Sequence, residues 1–178
     1  MSVSPEPSGD VTDPKVMRRA FGKFATGVTV VSVGGGTPHA MTANSFTSVS
    51  LDPPLVLVCV GRSGVMHGRL TAAGSFGVSV LAAHQESVAR RFANRRRILG
   101  PSQFDAVDWL PGDLTGAPLL TGTLARFECE LWRTHDGGDH TIFIGRVLSL
   151  EQQDDREALL FFHGSFRRII PDRSEVRA

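Results

Sequence analysis

The residues best suited to chemistry lie in one run of small polar side chains, Met41 to Pro54, which reads MTANSFTSVSLDPP. Small side chains let a ligand approach backbone N–H and C=O groups, and hydroxyl and amide groups add further hydrogen bonds. The run therefore predicts a surface for a flat, polar ligand. Its composition alone fits an ordinary edge strand better. The hydroxyl and amide residues are Thr42, Asn44, Ser45, Thr47, Ser48 and Ser50.

A second candidate site is the sequence Gly138-Asp139-His140, which follows two further turn residues, Asp136 and Gly137. A β-prone run comes next, so His140 is predicted to lie at the mouth of a strand. A lone histidine is usually structural, and Asp139 either orients its ring or caps the turn. The other five histidines have no comparable context and are expected to be surface or core residues: His39, His67, His84, His135 and His163.

Two segments are candidates for binding an anion. The loop at residues 60–64 (VGRSG) opens a short helix, whose first N–H groups favour anions. Arg62 and Ser63 add a charge and a hydroxyl, and an ordinary capped helix is the equal alternative. The second segment is an arginine cluster at 90–91 and 95–97. A solvated helix end is the commonest explanation of such a run, and the lack of interleaved aromatic residues disfavours nucleic acid.

Together these segments resemble the short-chain flavin reductase family, the reductase components of two-component flavin-dependent monooxygenases. The resemblance covers about residues 14–170 and is carried by MTANSFTSVSLDPP and GDH. It implies a mainly β fold, a split antiparallel β-barrel of the FMN-binding type with a few flanking helices. It also implies a homodimer with flavin sites near the subunit interface.

The activity that the resemblance implies is that of an NAD(P)H:flavin oxidoreductase. Such an enzyme transfers hydride from NADH, or from NADPH, to FAD or FMN. The reduced flavin then diffuses to a separate monooxygenase. Hydride transfer between two cofactors is the cofactors' own chemistry, and the protein supplies stacking, orientation and electrostatics.

The resemblance also assigns roles to residues. His140 faces the nicotinamide as the catalytic residue, with Asp139 beside it, while Ser63 and Arg91 contact the phosphate side of the flavin. The isoalloxazine ring is held by Thr42, Ala43, Asn44 and Ser45. The remaining implied cofactor contacts are Ser48, Cys59, Gly61, Phe92 and Phe166.

Phe166 departs from the family pattern, because related sequences commonly carry tyrosine there and this chain has no tyrosine. A phenyl ring can stack on a flat ligand but supplies no hydroxyl. A core aromatic that closes the barrel is the equal alternative.

Two other functions stay open. A non-catalytic flavin- or haem-binding split barrel, acting as a carrier or sensor, would keep the polar segment without needing His140. An oxidase of the pyridoxamine-phosphate type shares the barrel, although the GDH segment favours a reductase.

The composition limits the alternatives further. The chain has 178 residues, of which 41% are hydrophobic and 21% charged, so we expect one globular domain. Its formal net charge of +1 gives no electrostatic case for nucleic acid. Cys59 and Cys129 are predicted to be buried free thiols, with no metal site. Without a signal peptide or an apolar stretch long enough to span a membrane, a cytoplasmic protein is expected.

The elements that must position these residues follow from local patterns. Residues 1–12 are predicted to be a disordered tail, 13–170 the flavin reductase-like domain and 171–178 a loose tail. Asp13 and Pro14 predict the start of a helix that ends at Gly27 and has one apolar face. That face comprises Val16, Met17, Ala20, Phe21 and Phe24.

Many short strands with few helices between them favour an antiparallel barrel. The strand at 55–60 is predicted to be covered on both faces, and Glu128 is predicted to face solvent with Arg126 and Glu130. Residues 99–122 are expected to form a surface excursion. The other predicted strands are 28–33, 39–48, 76–80, 124–132, 141–150 and 158–162, and the helices are 65–73 and 84–93, the latter with Val88, Ala89, Phe92 and Ala93 inward.

Overall fold

The computed structural model describes residues 9–153 and 156–169. The helices are α1 (Pro14–Phe21), α2 (Val65–Ala73) and α3 (Glu86–Ala93), with 3-10 turns at Ala83–Gln85 and Pro101–Phe104. The strands are β1 (Thr26–Gly27), β2 (Thr29–Val33), β3 (His39–Ala43), β4 (Thr47–Leu51), β5 (Pro54–Gly61), β6 (Ser75–Val80), β7 (Trp109–Pro111), β8 (Pro118–Leu120), β9 (Ala125–Gly137), β10 (His140–Gln152), β11 (Leu159–Phe162) and β12 (Ser165–Arg168).

The main sheet is antiparallel and curls into an open barrel. Its order is β3-β2-β6-β9-β10-β5-β4, so β3 and β4 lie at opposite edges although only residues 44–46 separate them along the chain. Four Cα–Cα steps reach about 15 Å, whereas the edges of a flat seven-stranded sheet lie about 29 Å apart. The sheet must therefore curl until its edges approach each other, which confirms the predicted split barrel.

Two apolar clusters stabilise this arrangement. The first fills the barrel and is closed by Met66 and Leu70 of α2, which pack against strand residues such as Phe76 and Phe143. A side chain at Gly145 would collide with the Phe76 ring, so a glycine is required there. The second cluster lies between the sheet and α3 and includes Phe92. The helix that flanks the site is thus held by the core.

Helix α1 begins as predicted but ends early. The Asp13 carboxylate accepts a hydrogen bond of 2.7 Å from the backbone N–H of Lys15, and Pro14 is the first helical residue. The helix ends at Phe21, with Gly22 as its cap, rather than at Gly27. The chain then turns into β1, which pairs with β11. The apolar face is uncovered in the single chain, since Phe21 is 67% and Phe24 78% exposed.

The prediction of one continuous strand at 39–48 is wrong, because the chain forms two strands there, separated by residues 44–46. The break is where the chain passes from one sheet edge to the other. The predicted single strand at 158–162 is likewise only half of a hairpin, since β12 follows β11 and pairs with it. Residues 9–12 form an exposed turn. Residues 1–8 and 171–178, the rest of the predicted tails, lie outside the described residues.

The excursion at residues 99–122 is only partly on the surface. Phe104, Ala117 and Leu120 are buried, and so is Gln103. The Gln103 amide donates to the carbonyls of Pro38 and Gly100 and accepts from the N–H of Ala40. These bonds satisfy a buried polar side chain and fasten the segment to β3. Sequence composition could not reveal that anchor.

Glu128 is the clearest reversal of a prediction, because only 4% of it is exposed. Its carboxylate accepts hydrogen bonds from the N–H of Leu114, from the N–H and hydroxyl of Thr115, and from the Ser149 hydroxyl. Burial alone would raise the pKa of Glu128, but these bonds outweigh it and lower the pKa. The loop before β8 thus folds over the strand face that alternation assigned to solvent.

Strand β5 and helix α3 also differ in part from expectation. The inward residues Val56, Val58 and Val60 are buried, whereas Leu55 and Leu57 on the other face are only half-buried. The prediction of full cover on both faces is therefore wrong for the single chain. On α3, Ala89 and Phe92 are buried as predicted and Val88 is half-buried, but Ala93 is exposed at the helix end.

Candidate active site

The polar segment crosses between the sheet edges and is fixed there by Ser45. The Ser45 hydroxyl donates to the Cys59 carbonyl at 3.1 Å and accepts from the Cys59 N–H at 3.0 Å. Asn44 and Ser48 are exposed, and their side chains make no hydrogen bond within the part of the chain that the structure describes. Their polar groups are available to a ligand.

Thr42 and Ala43 have structural contacts instead. The Thr42 hydroxyl donates to the Ala89 carbonyl of α3 at 2.7 Å, and the Ala43 side chain is buried in the barrel core. The Ala43 carbonyl accepts a hydrogen bond from the Thr29 hydroxyl. These two side chains therefore join β3 to α3 and to the core.

His140 begins β10 and lies beside the end of β5. It pairs with Gly61 across the two strands, and a Cβ built on Gly61 would lie 3.6 Å from His140 Nε2. His140 Nδ1 lies 2.7 Å from an Asp139 carboxylate oxygen. The hydrogen bond from His140 is the main cause that lowers the pKa of Asp139. An ionised Asp139 only accepts, so Nδ1 donates and Nε2 of the neutral ring is a hydrogen-bond acceptor.

The two candidate segments meet β5 from its two edges, the polar segment on the β4 side and His140 on the β10 side. Cys59 and Gly61 are two residues apart, which places them on the same face about 7 Å from each other. Ser45 is bonded to Cys59 and His140 is paired with Gly61. The half-exposed His140 ring lies over Gly61 and the polar segment adjoins Cys59, so both reach the C-terminal end of β5, which is the candidate surface. Ser45 and His140 are 95 positions apart in the sequence.

The loop between β5 and α2 adjoins this surface. Ser63 is exposed, and within residues 9–153 and 156–169 its hydroxyl makes no hydrogen bond. Helix α2 has Gly64 as its N-cap, with no side-chain cap. The sequence predicts Arg62 in this loop as an anion contact. Its guanidinium instead pairs with Asp136 at 2.9 Å in the turn that carries His140. Only the fold could reveal that pairing.

Arg91 and Phe92 end helix α3. Arg91 Nε donates to the Gln103 carbonyl at 2.9 Å, and Phe92 is buried with 1% exposure. The Phe92 ring is therefore a core residue that positions the helix. Arg91 lines a cavity of about 440 Å³ together with Ser87, Arg90, Asn94, Arg97, Ile98, Ser102 and Gln103. Arg90 is paired with Glu86 at 2.7 Å, so the positive charges in this lining that suit an anion are those of Arg91 and Arg97.

Phe166 lies on β12 and packs into the second core cluster. Its ring makes an edge contact with Phe161, with the centroids 5.5 Å apart, and the Arg90 guanidinium lies 5.0 Å from its centroid. These contacts favour the core aromatic over a ring that stacks on a ligand.

Neither cysteine lies in a group of ligating side chains. Cys129 is buried, which raises its pKa to about 12, with the charge of Glu128 as a second cause. Cys59 is only half-buried, which still raises the pKa of its thiol. Among the described residues, no three His, Cys, Asp or Glu side chains are placed to hold a metal ion. No helix in the same residues is long and apolar enough to cross a membrane.

The open barrel, the polar segment at its edge and the adjacent histidine together define a split-barrel nucleotide-binding protein. Residues 21–169 match the family model described as the flavin reductase like domain. The chain belongs to this flavin reductase family.

Relatives and solved structures agree over almost the whole chain. The NADH-dependent FAD reductase of Streptomyces globisporus is 55% identical over 175 residues, which is 97% of this chain and 96% of that protein. Subunit HsaB, the reductase subunit of a flavin-dependent monooxygenase from Rhodococcus jostii (strain RHA1), is 38% identical over 94% of this chain and 84% of its own length. The crystal structure of BorF, the flavin reductase component of a bacterial two-component tryptophan halogenase, superimposes with a TM-score of 0.86 at 60% identity, over 90% of this chain and all of BorF.

Proposed function

We propose that this protein is an NADH-dependent flavin reductase that reduces FAD or FMN for a separate flavin-dependent monooxygenase. The observation that carries the proposal is the meeting of two segments at the end of β5, where Ser45 is bonded to Cys59 and His140 lies beside Gly61. We infer that the first segment binds the flavin and that the imidazole binds the nicotinamide. The names of the full-length relatives support the same reaction.

The residues suit a flavin and a nicotinamide because the polar segment offers exposed side chains that make no hydrogen bond to the residues that the structure describes. Asn44, Ser48 and the backbone around Ser45 would bind the polar edge of the flavin ring. The bound nucleotides supply the hydride-transfer chemistry. His140 Nε2, as an acceptor, would bind the amide N–H of the nicotinamide carboxamide, since Asp139 holds Nδ1. The histidine orients the donor and need not move a proton.

The phosphate side of the flavin would meet positive or unpaired groups. Ser63 and the first N–H groups of α2 adjoin Gly61, and Arg91 extends from α3 into the arginine-lined cavity. Arg91 is held in place by the Gln103 carbonyl, so its charge is pre-positioned. These groups form the proposed phosphate contacts.

We also propose that two copies of the chain associate through the β4 edge of the sheet. This edge strand exposes Val49 (46%) and Leu51 (93%), and Leu55 and Leu57 of the neighbouring strand β5 are only half-buried. An apolar edge strand of this kind is normally covered by another chain. Light scattering should give twice the chain mass, and Leu51→Glu should shift it toward the monomer. A monomeric wild-type protein at micromolar concentration would contradict this.

The test of the activity is NADH oxidation by purified protein with FAD, with FMN and without flavin. Oxidation that depends on added flavin supports a reductase that uses flavin as a diffusible substrate. NADPH in place of NADH tests the choice of donor. Delivery by diffusion is tested by placing the partner monooxygenase behind a dialysis membrane, where product should still form. Flavin binding without oxidation of either nucleotide would favour the carrier or sensor instead.

A further inference from the structure

Arg62, the residue that follows β5, contacts the turn that carries His140 through both its backbone and its side chain. Its backbone N–H donates to the Asp139 carbonyl at 3.0 Å. Its Nε donates to the His140 carbonyl at 3.4 Å, and its terminal nitrogen lies 2.9 Å from an Asp136 carboxylate oxygen. Arg62 thus contacts three of the five residues at 136–140, the segment where β9 turns into β10.

Asp136 completes this link from within the turn. One of its carboxylate oxygens accepts from the Gly138 N–H at 2.8 Å, and the other pairs with Arg62. A single carboxylate therefore closes the tip of the turn and joins that tip to the β5–α2 loop. Both side chains are well exposed, at 47% for Arg62 and 76% for Asp136. Exposed pairs contribute little to global stability, so the link is better suited to orientation than to holding the fold together.

We propose that Arg62 is a positioning residue, which acts through Asp136 to hold His140 over Gly61 and so sets the affinity for the nicotinamide nucleotide. This inference rests on the proposed function, in which His140 binds the nicotinamide. The flavin segment is fixed separately, by Ser45 on Cys59. Loss of the Arg62 link should therefore affect the use of NADH and leave the binding of flavin nearly unchanged.

The alternative role for Arg62 is a direct charge contact with a phosphate, and the two roles predict different results for Asp136. If Arg62 acts through Asp136, then Arg62→Ala and Asp136→Asn should each raise the KM for NADH by about threefold to tenfold. The double variant should be no worse than either single variant. If Arg62 contacts phosphate directly, Asp136→Asn should leave this KM unchanged or lower it.

The experiment measures the KM for NADH and for FAD in the full chain for these variants and for Arg62→Lys. Lysine keeps the charge but cannot reach the His140 carbonyl and Asp136 together, so we expect only partial rescue. The matched control is Glu151→Gln, which removes an exposed ion pair with Arg126 at the other end of the same two strands. It should change neither KM.

A readout that does not depend on turnover is the pair of ring-nitrogen NMR signals of His140. Arg62→Ala and Asp136→Asn should shift these signals in the same direction and leave those of His67 in place. If the His140 signals do not shift in these variants, the inference about Arg62 is wrong, whatever the activity of the wild type. If the wild type fails to oxidise NADH, that result contradicts the proposed function but not the positioning of His140 by Arg62. Three kinetic results would also overturn the inference about Arg62. The KM for NADH could be unchanged in Arg62→Ala, it could rise in Arg62→Ala but not in Asp136→Asn, or the KM values for NADH and FAD could rise equally.

Discussion

The hydroxyl of Ser45 satisfies both backbone groups of Cys59, the carbonyl at 3.1 Å and the N–H at 3.0 Å. Strand β4 pairs Thr47 with Leu57, so a strand two residues longer would place the Ser45 backbone opposite Cys59. A side chain takes the place of that backbone pair. The chain is thereby free to leave the sheet at residues 44–46 and cross to β3, while β5 keeps its hydrogen bonds.

Ser45→Ala should therefore loosen the crossing segment. It leaves a partly buried N–H and C=O without a partner, which costs about 1–3 kcal/mol of unfolding free energy. Under the proposed function it should also raise the dissociation constant for FAD, because the crossing segment at residues 44–46 is no longer held in a fixed position against Cys59. Urea unfolding and flavin fluorescence titration measure the two effects.

The matched control for stability is Ser48→Ala. Ser48 lies in the same run, but its exposed hydroxyl makes no hydrogen bond to the residues that the structure describes. Its removal should change the unfolding free energy by less than about 0.5 kcal/mol. Equal stabilities of the Ser45 and Ser48 variants would show that the Cys59 contacts do not stabilise the segment.

The barrel and several of its elements were predictable from the sequence because local rules set them. Asp13 and Pro14 mark the start of α1, and the apolar run after Pro54 marks β5. The break in the predicted strand at 39–48 was not predictable in the same way. It depends on which strands neighbour one another, since the chain must cross between the two edges of the sheet.

The candidate site was predictable by residue type but not by contact. The turn before His140 predicts its place at the mouth of a strand, but its neighbours Gly61 and Arg62 come close only because β5 pairs with β10. The sequence predicts a flavin contact at Thr42, and only the fold shows that its hydroxyl donates to the Ala89 carbonyl of α3. Long-range partners of this kind carry no local signal.

Replacement of His140 by alanine should impair the use of NADH more than the binding of flavin. The ring is half-exposed and offers one acceptor, Nε2, so the KM for NADH should rise by no more than about tenfold, the equivalent of one hydrogen bond. Steady-state NADH oxidation and flavin titration separate the two quantities. His84→Ala, at an exposed histidine outside the site, is the control. Unchanged NADH kinetics would remove the proposed role of His140.

Glu128→Gln should destabilise the protein at neutral pH and weaken its acid sensitivity. The change removes the charge that accepts four hydrogen bonds, at a cost of about 1–3 kcal/mol. The pKa of Glu128 is lower in the folded state than the ordinary value of 4.5. Its contribution is therefore present above that value and lost as the pH falls through the folded pKa. Melting temperatures of the variant and the wild type should converge in acid. A constant difference at all pH values would contradict this assignment.

His39 should cause a separate loss of stability at milder acidity. The residue is 4% exposed, and burial, with the nearby charges of Arg97 and Arg69, lowers its pKa from 6.5 to about 4. Between these values the unfolded chain binds a proton at His39 that the folded chain does not. Stability is therefore lost as the pH falls from 6.5 to about 4, by at most about 3 kcal/mol.

His39→Gln tests this, because glutamine can accept from Arg97, whose guanidinium lies 3.3 Å from His39 Nε2, but does not titrate. The variant should lose less stability than the wild type between pH 6.5 and about 4, measured by urea unfolding at each pH. His163→Gln, at an exposed histidine, should follow the wild-type curve. If the His39 variant shows the wild-type slope across this interval, the acid loss arises from other groups and His39 is protonated without cost in the fold.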